Sequence, residues 1–279
     1  MREDHGGGVM KQERAVAGLT GKRAVVLGAA GAGNMAQVIA RRLAADGAVV
    51  TVSGRKEAEL TRFANEIGGF SATCDITRKA DTDALAAYAV SSMGGVDIVV
   101  NATGWGLLKP FLETSEEELQ AMSDLQFKGP FMLFQSFIPV MDNGGSLIQI
   151  SSATATIMLN DHAAYMGTKA GTDHVIRCIA NEFGGRGIRA NSISPGITAT
   201  PMTAAAQATP GLFEAFVGSY PLGRVGTSDD IAAAVAWLAS DECFMTGQNL
   251  QVNGGLTLRS NPSGDAIGAS VMAAMAAQS

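Results

Sequence analysis

The segment AVVLGAAGAGNMA, residues 24–36, joins a short apolar run to a glycine-rich turn. Its first four residues are apolar without alternation, which predicts a strand buried on both faces over Ala24–Leu27. The apolar spacing through Ala40 and Leu43 predicts a helix after the turn. Backbone N–H groups and the positive end of a helix favour an anion there, so the segment is predicted to hold a dinucleotide pyrophosphate; the alternative is a tight turn without a ligand. The turn residues predicted to face the cofactor are Gly28, Gly31, Gly33, Asn34 and Met35.

Short β-branched runs alternate with helix-period segments along the rest of the chain. This alternation predicts a single α/β domain, a Rossmann-type doubly wound parallel sheet of about seven strands with helices on both faces. We place the domain at residues 19–258, after a flexible extension at 1–18 and before a tail at 259–279. In the tail, Val271–Ala277 is expected either to fray or to dock on a neighbour. The other predicted strands are Val49–Val52, Ala72–Cys74, Asp97–Val100, Ser146–Ile150, Ala190–Ile193 and Leu250–Val252.

The composition limits the class of protein. The chain has 279 residues, of which 47% are hydrophobic and 16% are charged, so general disorder is excluded. A net charge of −6 argues against nucleic acid or an anionic membrane as a partner. The three cysteines lie far apart in apolar stretches and form no metal-ligand motif, which predicts reduced core thiols in the cytoplasm and no metal site. Because there is no secretory signal and no apolar stretch of spanning length, a soluble protein is expected.

The ends of the next strands predict the rest of the dinucleotide site. Arg55 stands where an acidic residue would bind the adenosine ribose, and an arginine there favours a 2′-phosphate. NADP(H) is therefore favoured over NAD(H), although a solvated arginine at a helix start would look the same. Asp75, with Ile76 beside it, is placed to meet the adenine, or else caps a helix. After the fourth strand, the small residues that would border the cofactor crevice are Asn101, Ala102 and Gly104.

Ser152, Tyr165 and Lys169 form the constellation that predicts chemistry. Tyr165 and Lys169 lie one helical turn apart in a helix predicted over Ala163–Phe183, so they project from one face. A phenol is a poor acid at neutral pH, and we expect the Lys169 ammonium and an oxidised nicotinamide to lower the pKa of Tyr165. Ser152 follows a predicted strand at the sheet edge where parallel sheets bind ligands.

Taken together, these residues resemble the short-chain dehydrogenase/reductase superfamily over about residues 19–258. The segments Ile188–Gly196, Gly223–Gly226, Asp229–Ala232, Thr246–Gln248 and Val252–Gly255 match the same pattern. The resemblance implies that Tyr165 is the general acid/base, that Lys169 holds the nicotinamide ribose and that Ser152 orients the substrate oxygen. It places the carboxamide of the nicotinamide against a loop that contains Pro195, Gly196, Thr198 and Thr200. It also implies a homotetramer or homodimer and a mobile lid over Met202–Val217.

Three departures from the family pattern keep other functions open. The glycine turn is spaced as in the enoyl-acyl-carrier-protein reductase branch, and Asn101–Gly104 replaces the usual Asn-Asn-Ala-Gly. Gln126 stands where the family has the asparagine of its proton-relay tetrad, whose main-chain carbonyl binds the relay water. The alternatives are therefore an enoyl (C=C) reductase and a catalytically silent NADP(H) sensor.

Carbonyl reduction or alcohol oxidation is nevertheless the preferred reaction. The enoyl-reductase branch separates its Tyr and Lys by six residues, whereas Thr172 stands at that position here. The intact Ser152, Tyr165 and Lys169 argue against a silent sensor. An apolar lid and few charges predict a neutral ketone, aldehyde or secondary alcohol as the substrate. Its predicted contacts are Trp105, Ser152, Met158, His162 and Met202, with a surface position as the alternative for His162.

Overall fold

Seven parallel strands form the central sheet of the computed structural model, which describes residues 18–142 and 144–278. The predicted α/β fold is thus confirmed, while the strand bounds differ from the predicted ones by one to two residues. The order across the sheet is β3-β2-β1-β4-β5-β6-β9, and β7 pairs with β8 in a separate two-stranded ribbon. The strands are β1 (Arg23–Leu27), β2 (Val49–Gly54), β3 (Phe70–Thr73), β4 (Ile98–Asn101), β5 (Gly145–Ile150), β6 (Ile188–Pro195), β7 (Thr198–Ala199), β8 (Gly226–Thr227) and β9 (Asn249–Val252).

Helices cover both faces of this sheet and explain why its strands are apolar throughout. In β1, Ala24 and Val26 pack with α1, α2 and α9, whereas Val25 and Leu27 pack with α3, α5 and α6 on the other face. The described helices are α1 (Met35–Ala45), α2 (Glu57–Ile67), α3 (Lys79–Met93), α4 (Glu116–Ser123), α5 (Gly129–Phe137), α6 (Ala163–Phe183), α7 (Ala204–Ala208), α8 (Leu212–Val217), α9 (Ser228–Ala239) and α10 (Gly264–Ala276).

The strand order reverses beside β1, and this reversal locates a crevice. The chain passes from β1 to β2 and β3 on one side, and then crosses back to β4 on the other side. Loops that follow β1 and β4 therefore diverge at the carboxyl edge of the sheet, where open α/β sheets bind ligands. Residues from both loops border one cleft there.

The C-terminal segment forms a helix against its own chain. α10 lies along α8, where Ser270 Oγ donates to the Gly211 carbonyl at 2.7 Å. Ile267 packs against a small apolar cluster that contains Phe216 and Tyr220. The helix is longer than the predicted Val271–Ala277 segment, because Ser263 caps it at its N-terminus. The predicted N-terminal extension lies outside the described residues except for Gly18.

One cysteine differs from the expectation of three core thiols. Cys74 and Cys243 are buried, but Cys178 is exposed because it falls on the outer face of α6 between Ile176 and Ile179. Across residues 18–142 and 144–278, no helix is long and apolar enough to cross a bilayer.

Candidate active site

The glycine turn after β1 is fixed by its own backbone contacts. Gly28 has φ +107°, and a Cβ there would lie 2.9 Å from the backbone of Ala102, so only glycine lets the two loops pass this closely. Asn34 caps α1: its Oδ1 accepts the N–H of Gln37 at 3.0 Å and its Nδ2 donates to the Gly28 carbonyl at 2.8 Å. Asn34, Met35 and the helix start border the cleft, so the turn fits a dinucleotide phosphate.

Gln37, in the first turn of α1, holds the glycine turn in place and was missed by the sequence analysis. Its buried Oε1 accepts the Gly33 N–H at 2.9 Å, and its Nε2 donates to the Ala29 carbonyl at 3.0 Å. Gly31 lies close to the Asn34 amide, so the whole turn is bound to the first turn of α1. A polar residue on the buried face of an otherwise apolar helix was the signal for this role.

Arg55 and Asp75 stand side by side at the ends of β2 and β3. Arg55 is exposed, and the described residues give its guanidinium no hydrogen-bond or ion-pair partner. Asp75 Oδ1 accepts the N–H and O–H of Thr77 at 3.0 and 2.8 Å. Burial raises the pKa of Asp75, but the bonds from Thr77 and the charge of Arg55 outweigh it, so the pKa lies below its ordinary value. Ile76 is buried in the core and does not line the cleft.

Asn101 fixes the loop on the other side of the crevice. Its buried Nδ2 donates to Gln149 Oε1 at 2.9 Å, and its Oδ1 accepts the N–H and O–H of Thr103. These bonds hold Ala102 and Gly104 at the border of the cleft. Gln149 Nε2 in turn donates to the Ile150 carbonyl at 2.8 Å.

Ser152, Tyr165 and Lys169 border the same cleft. Lys169 Nζ donates to the Ile150 carbonyl at 2.9 Å and lies 5.6 Å from the centroid of the Tyr165 ring. Ser152 Oγ is 2.9 Å from Thr154 Oγ1 just after β5. The predicted α6 is found with the predicted bounds, and it places Tyr165 and Lys169 on one face.

Burial is the largest effect on the pKa values of Tyr165 and Lys169. It raises the pKa of Tyr165, an interaction with the Ser152 hydroxyl opposes this, and the charge of Asp173 adds to it. Burial lowers the pKa of Lys169 to about 8, against the opposite effect of Asp173. The chain alone thus does not acidify the phenol as expected, because burial of Tyr165 itself favours the neutral phenol.

Asp173 is a second residue that the sequence analysis missed. It lies one turn beyond Lys169 on α6, and burial raises its pKa against hydrogen bonds that lower it. Its Oδ2 accepts from Ser151 Oγ at 2.7 Å and from Asn249 Nδ2 at 2.6 Å. The carboxyl group therefore links α6 to β5 and β9 behind the cleft.

The loop after β6 supplies the opposite wall. Pro195, Gly196, Thr198 and Thr200 all border the cleft. A Cβ at Gly196 would lie 2.2 Å from Tyr220 Oη, so this glycine is required by the packing of Tyr220 in the core. Thr198 Oγ1 donates to the Gly196 carbonyl at 3.0 Å, and the Thr200 N–H donates to Thr203 Oγ1 at 3.1 Å.

His162 lies on the ring of Tyr165, with 4.4 Å between the ring centroids. Its Nδ1 is 2.7 Å from the Leu107 carbonyl, which can only accept, so Nδ1 carries the proton and Nε2 is left as an acceptor. Burial lowers the pKa of His162, which keeps the ring neutral. His162 therefore presents a neutral acceptor to the cleft.

The remaining predicted substrate residues differ in position. Trp105 (41% exposed) and Met202 (69% exposed) border the cleft. The side chain of Met158 is 69% exposed and does not line the cleft, whereas its neighbour Leu159 does. Asn261, which follows the predicted domain, donates from Nδ2 to the Met158 carbonyl at 3.0 Å and also lines the cleft.

Gln126 lies near Gly104 and Lys169, in a π-helical turn at Asp124–Lys128. Its side chain is buried, and its Nε2 donates to the Trp105 carbonyl at 3.0 Å. Its main-chain carbonyl accepts from Thr172 Oγ1 at 2.5 Å.

The cleft as a whole has a volume of about 290 Å³, and none of the described residues that line it is an aspartate or glutamate. A doubly wound sheet with a glycine turn after β1 and a Ser/Tyr/Lys group at its carboxyl edge defines a class, the nicotinamide-dependent oxidoreductases.

Comparison with known proteins defines the family. A family model described as enoyl-(acyl carrier protein) reductase matches residues 28–257. The chain is 36% identical to 3beta-hydroxysteroid dehydrogenase 1 of Eggerthella lenta, over 86% of this chain and 95% of that protein. It is 34% identical to galactitol 2-dehydrogenase (L-tagatose-forming) of Cereibacter sphaeroides, over 88% and 98% of the two chains. A short-chain type dehydrogenase/reductase from Mycobacterium ulcerans superposes with a TM-score of 0.85 at 28% identity, over 90% and 94% of the chains.

The chain belongs to the short-chain dehydrogenase/reductase superfamily, and the predicted resemblance is confirmed. Like its named relatives, it is an oxidoreductase of alcohols and carbonyls. As a member of this family, it uses a nicotinamide dinucleotide.

Proposed function

We propose that this oxidoreductase transfers a hydride between NADP(H) and a neutral secondary alcohol or ketone, with Ser152, Tyr165 and Lys169 as the catalytic residues. The observation that carries the proposal is that these three side chains meet in one cleft, with Lys169 fully enclosed beside the Tyr165 ring. A partly buried phenol and a buried ammonium at this distance form a pair that can hold and move one proton.

Each residue has a distinct part in this reaction. When bound, the nicotinamide supplies the hydride in reduction and accepts it in oxidation. In reduction, the Tyr165 hydroxyl gives its proton to the substrate oxygen, and the Ser152 hydroxyl donates a hydrogen bond that stabilises the charge on that oxygen. Lys169, held by the Ile150 carbonyl, stabilises the phenolate that Tyr165 leaves behind. In oxidation the same proton moves in the opposite direction.

Arg55 supports the preference for NADP(H). It follows β2 and is exposed, and the described residues give its guanidinium no direct hydrogen bond or ion pair, although its charge acts on the nearby Asp75 carboxylate. A free guanidinium binds a phosphate through bidentate, charge-assisted hydrogen bonds, which a ribose hydroxyl cannot match.

The lining of the cleft supports a neutral substrate. Without a carboxylate on its described walls, the cleft cannot form an ion pair with a cationic substrate. The neutral Nε2 of His162 accepts a hydrogen bond beside Tyr165, so a second hydroxyl group near the reacting carbon would be recognised there. Hydroxysteroids and sugar alcohols, named for the relatives, both provide neutral secondary alcohols.

The description of the matching family model favours reduction of an enoyl thioester as a second candidate function. The close pairing of Lys169 and Tyr165 favours proton delivery to oxygen instead. An initial-rate screen of neutral ketones, aldehydes, secondary alcohols and one enoyl thioester, each with NADP(H) and NAD(H), separates the two. Turnover of the thioester alone would overturn the proposal.

We also propose a homotetramer or homodimer built on the outer faces of α4, α5 and α6. Apolar side chains stand exposed on α4 and α5 and on the short turns before and between them, including Phe111, Leu119, Phe127 and Phe131. Light scattering at defined protein concentration tests the assembly, and a monomer at all concentrations would contradict it.

A further inference from the structure

The side-chain amide of Gln126 carries an unpaired oxygen. Gln126 is 2% exposed, and its Oε1 is fully buried without a hydrogen-bond partner among the atoms of the described residues. A buried carbonyl oxygen without a partner is unfavourable, and such groups in native proteins are few. An unpaired acceptor beside a catalytic lysine therefore calls for a functional explanation.

The direction of this oxygen is fixed by the rest of the amide. The amide nitrogen donates to the main-chain carbonyl of Trp105 at 3.0 Å. Because a carbonyl can only accept, the nitrogen must face Trp105 and the oxygen must face away from it. The π-helical turn at Asp124–Lys128 sets the backbone from which the side chain reaches this position.

Gln126 Oε1 and Lys169 Nζ border the same space beside Gly104. A Cβ built on Gly104 would lie 3.7 Å from Oε1 and 3.8 Å from Nζ. An ammonium has three N–H donors, and the hydrogen bond found for Nζ in the described residues, to the Ile150 carbonyl, uses one of them. An unpaired acceptor and a lysine with donors to spare therefore face each other across a small gap.

The main-chain carbonyl of Gln126 is already engaged. Thr172 Oγ1 lies 2.5 Å from it and 2.9 Å from the carbonyl of Thr168. Thr172 is buried, so this contact is shielded from solvent. The carbonyl that the family resemblance assigned to a relay water thus has a hydrogen bond within the protein, whereas the side-chain oxygen has none.

We propose that the Oε1 of Gln126, and not its main-chain carbonyl, receives the hydrogen bond that connects Lys169 to the proton path, with one water molecule between them. The proposal rests on the proposed function. Gln126 is then a positioning residue, because its amide neither gains nor loses a proton.

In the reductive direction, the proton that reaches the substrate oxygen is replaced from bulk solvent. Tyr165 gives a proton to the substrate oxygen, and the Lys169 ammonium gives one to the phenolate that remains. The water gives a proton to the Lys169 amine, and the hydroxide that this leaves takes a proton from bulk solvent. Gln126 Oε1 holds that water in line with Nζ throughout.

Three variants test the inference. Gln126→Met has a similar length and no acceptor, Gln126→Glu keeps an acceptor at the same length, and Thr172→Val frees the main-chain carbonyl with little change of shape. The first measurement is the titration of Lys169 in the cofactor-free protein by carbon NMR of labelled lysine, with the signal assigned by Lys169→Met. The second is kcat with its solvent isotope effect on a substrate from the initial-rate screen.

We expect Gln126→Met to move the Lys169 titration down by about half a pH unit, because the ammonium loses an acceptor. In the same variant, kcat should fall about tenfold with a larger solvent isotope effect, while NADPH affinity stays within about twofold. In Gln126→Glu, Lys169 should titrate at the same pH as in the parent or at a higher pH. Thr172→Val should match the parent in both the Lys169 titration and kcat.

Parent-like titration and kcat in Gln126→Met would overturn the inference. So would a titration that moves in Thr172→Val and not in Gln126→Met, because the main-chain carbonyl would then be the acceptor. If Gln126→Met does not fold, Gln126→Glu and Thr172→Val still decide between the two carbonyls. A shifted titration in a protein that turns over no carbonyl would support the hydrogen bond and would contradict the proposed function instead.

Discussion

The cofactor side and the substrate side of the cleft are built in different ways. The cofactor side consists of β1, β2 and β4 with their loops, together with the end of β5 and α6, which carry Ser152, Tyr165 and Lys169. Its loops are held by side-chain bonds to the backbone from Asn34 and Asn101. The substrate side consists of the short helices α7 and α8, the loop at 153–162 and the C-terminal helix α10. Its apolar cluster is small, with Ala153, Phe216, Tyr220 and Leu256 as the buried members. The difference indicates that the chemistry is held rigidly, whereas substrate recognition lies on a segment that can move at low cost.

The largest effect is expected at Tyr165. Tyr165→Phe removes the proton donor and leaves the ring packed against His162, so kcat should fall about a thousandfold or more. NADPH affinity, measured by fluorescence titration, should stay within about twofold of the parent. Activity near the parent level in this variant would remove the acid/base assignment and with it the claim that the rigid side carries the chemistry.

Arg55 is expected to show the next largest effect. Arg55→Ala should raise KM for NADPH about tenfold to a hundredfold, because a charge-assisted contact to the 2′-phosphate is lost. KM for NADH should change less than twofold. Lys56→Ala, which removes the neighbouring exposed cation, is the matched control. Equal effects of Arg55→Ala on both cofactors would contradict the NADP(H) preference.

The substrate side is tested by loosening α10 from α8. Ile267→Ala removes apolar contacts with the cluster around Phe216, so KM for the substrate should rise about threefold to tenfold. Cofactor affinity should remain unchanged, because α10 is remote from β1 and β2. Met272→Ala, at an exposed position of the same helix, should leave both constants at the parent values. A parallel loss of cofactor affinity in Ile267→Ala would show that the two sides are not independent.

The smallest effect is a change in pH dependence from Asp173. The carboxylate of Asp173 raises the pKa of Lys169, which burial has lowered to about 8, so Asp173→Asn should lower it further. Activity that needs a protonated Lys169 is lost as the pH rises through that pKa. The alkaline limb of the kcat profile should therefore move to lower pH by about half a unit, with kcat below pH 7 little changed. An alkaline limb that stays in place or moves to higher pH would contradict this sign.

The sequence predicted the parts of the molecule that depend on local pattern. The buried strands, the glycine turn and the pair of Tyr165 and Lys169 could be predicted because strand and helix periods place side chains on known faces. The tail was predicted less well, since docking of α10 on α8 depends on a surface formed only after folding. Asp173 was missed because a polar residue in a helix gives no sign of which distant group it will contact, and Gln37 was missed although its place on a buried helix face was a local signal.

By itself, the sequence determined the family, the order of the elements and the residues that we propose for proton transfer, because these follow from the identity and spacing of neighbouring residues. Only the tertiary structure decided that the Gln126 amide oxygen is buried near Gly104 without a hydrogen-bond partner among the described residues, that Thr172 donates to the Gln126 main-chain carbonyl, and that burial of Tyr165 raises its pKa. These properties arise from groups far apart in the chain that share one desolvated space. Their energies depend on distance and burial, which no local pattern contains.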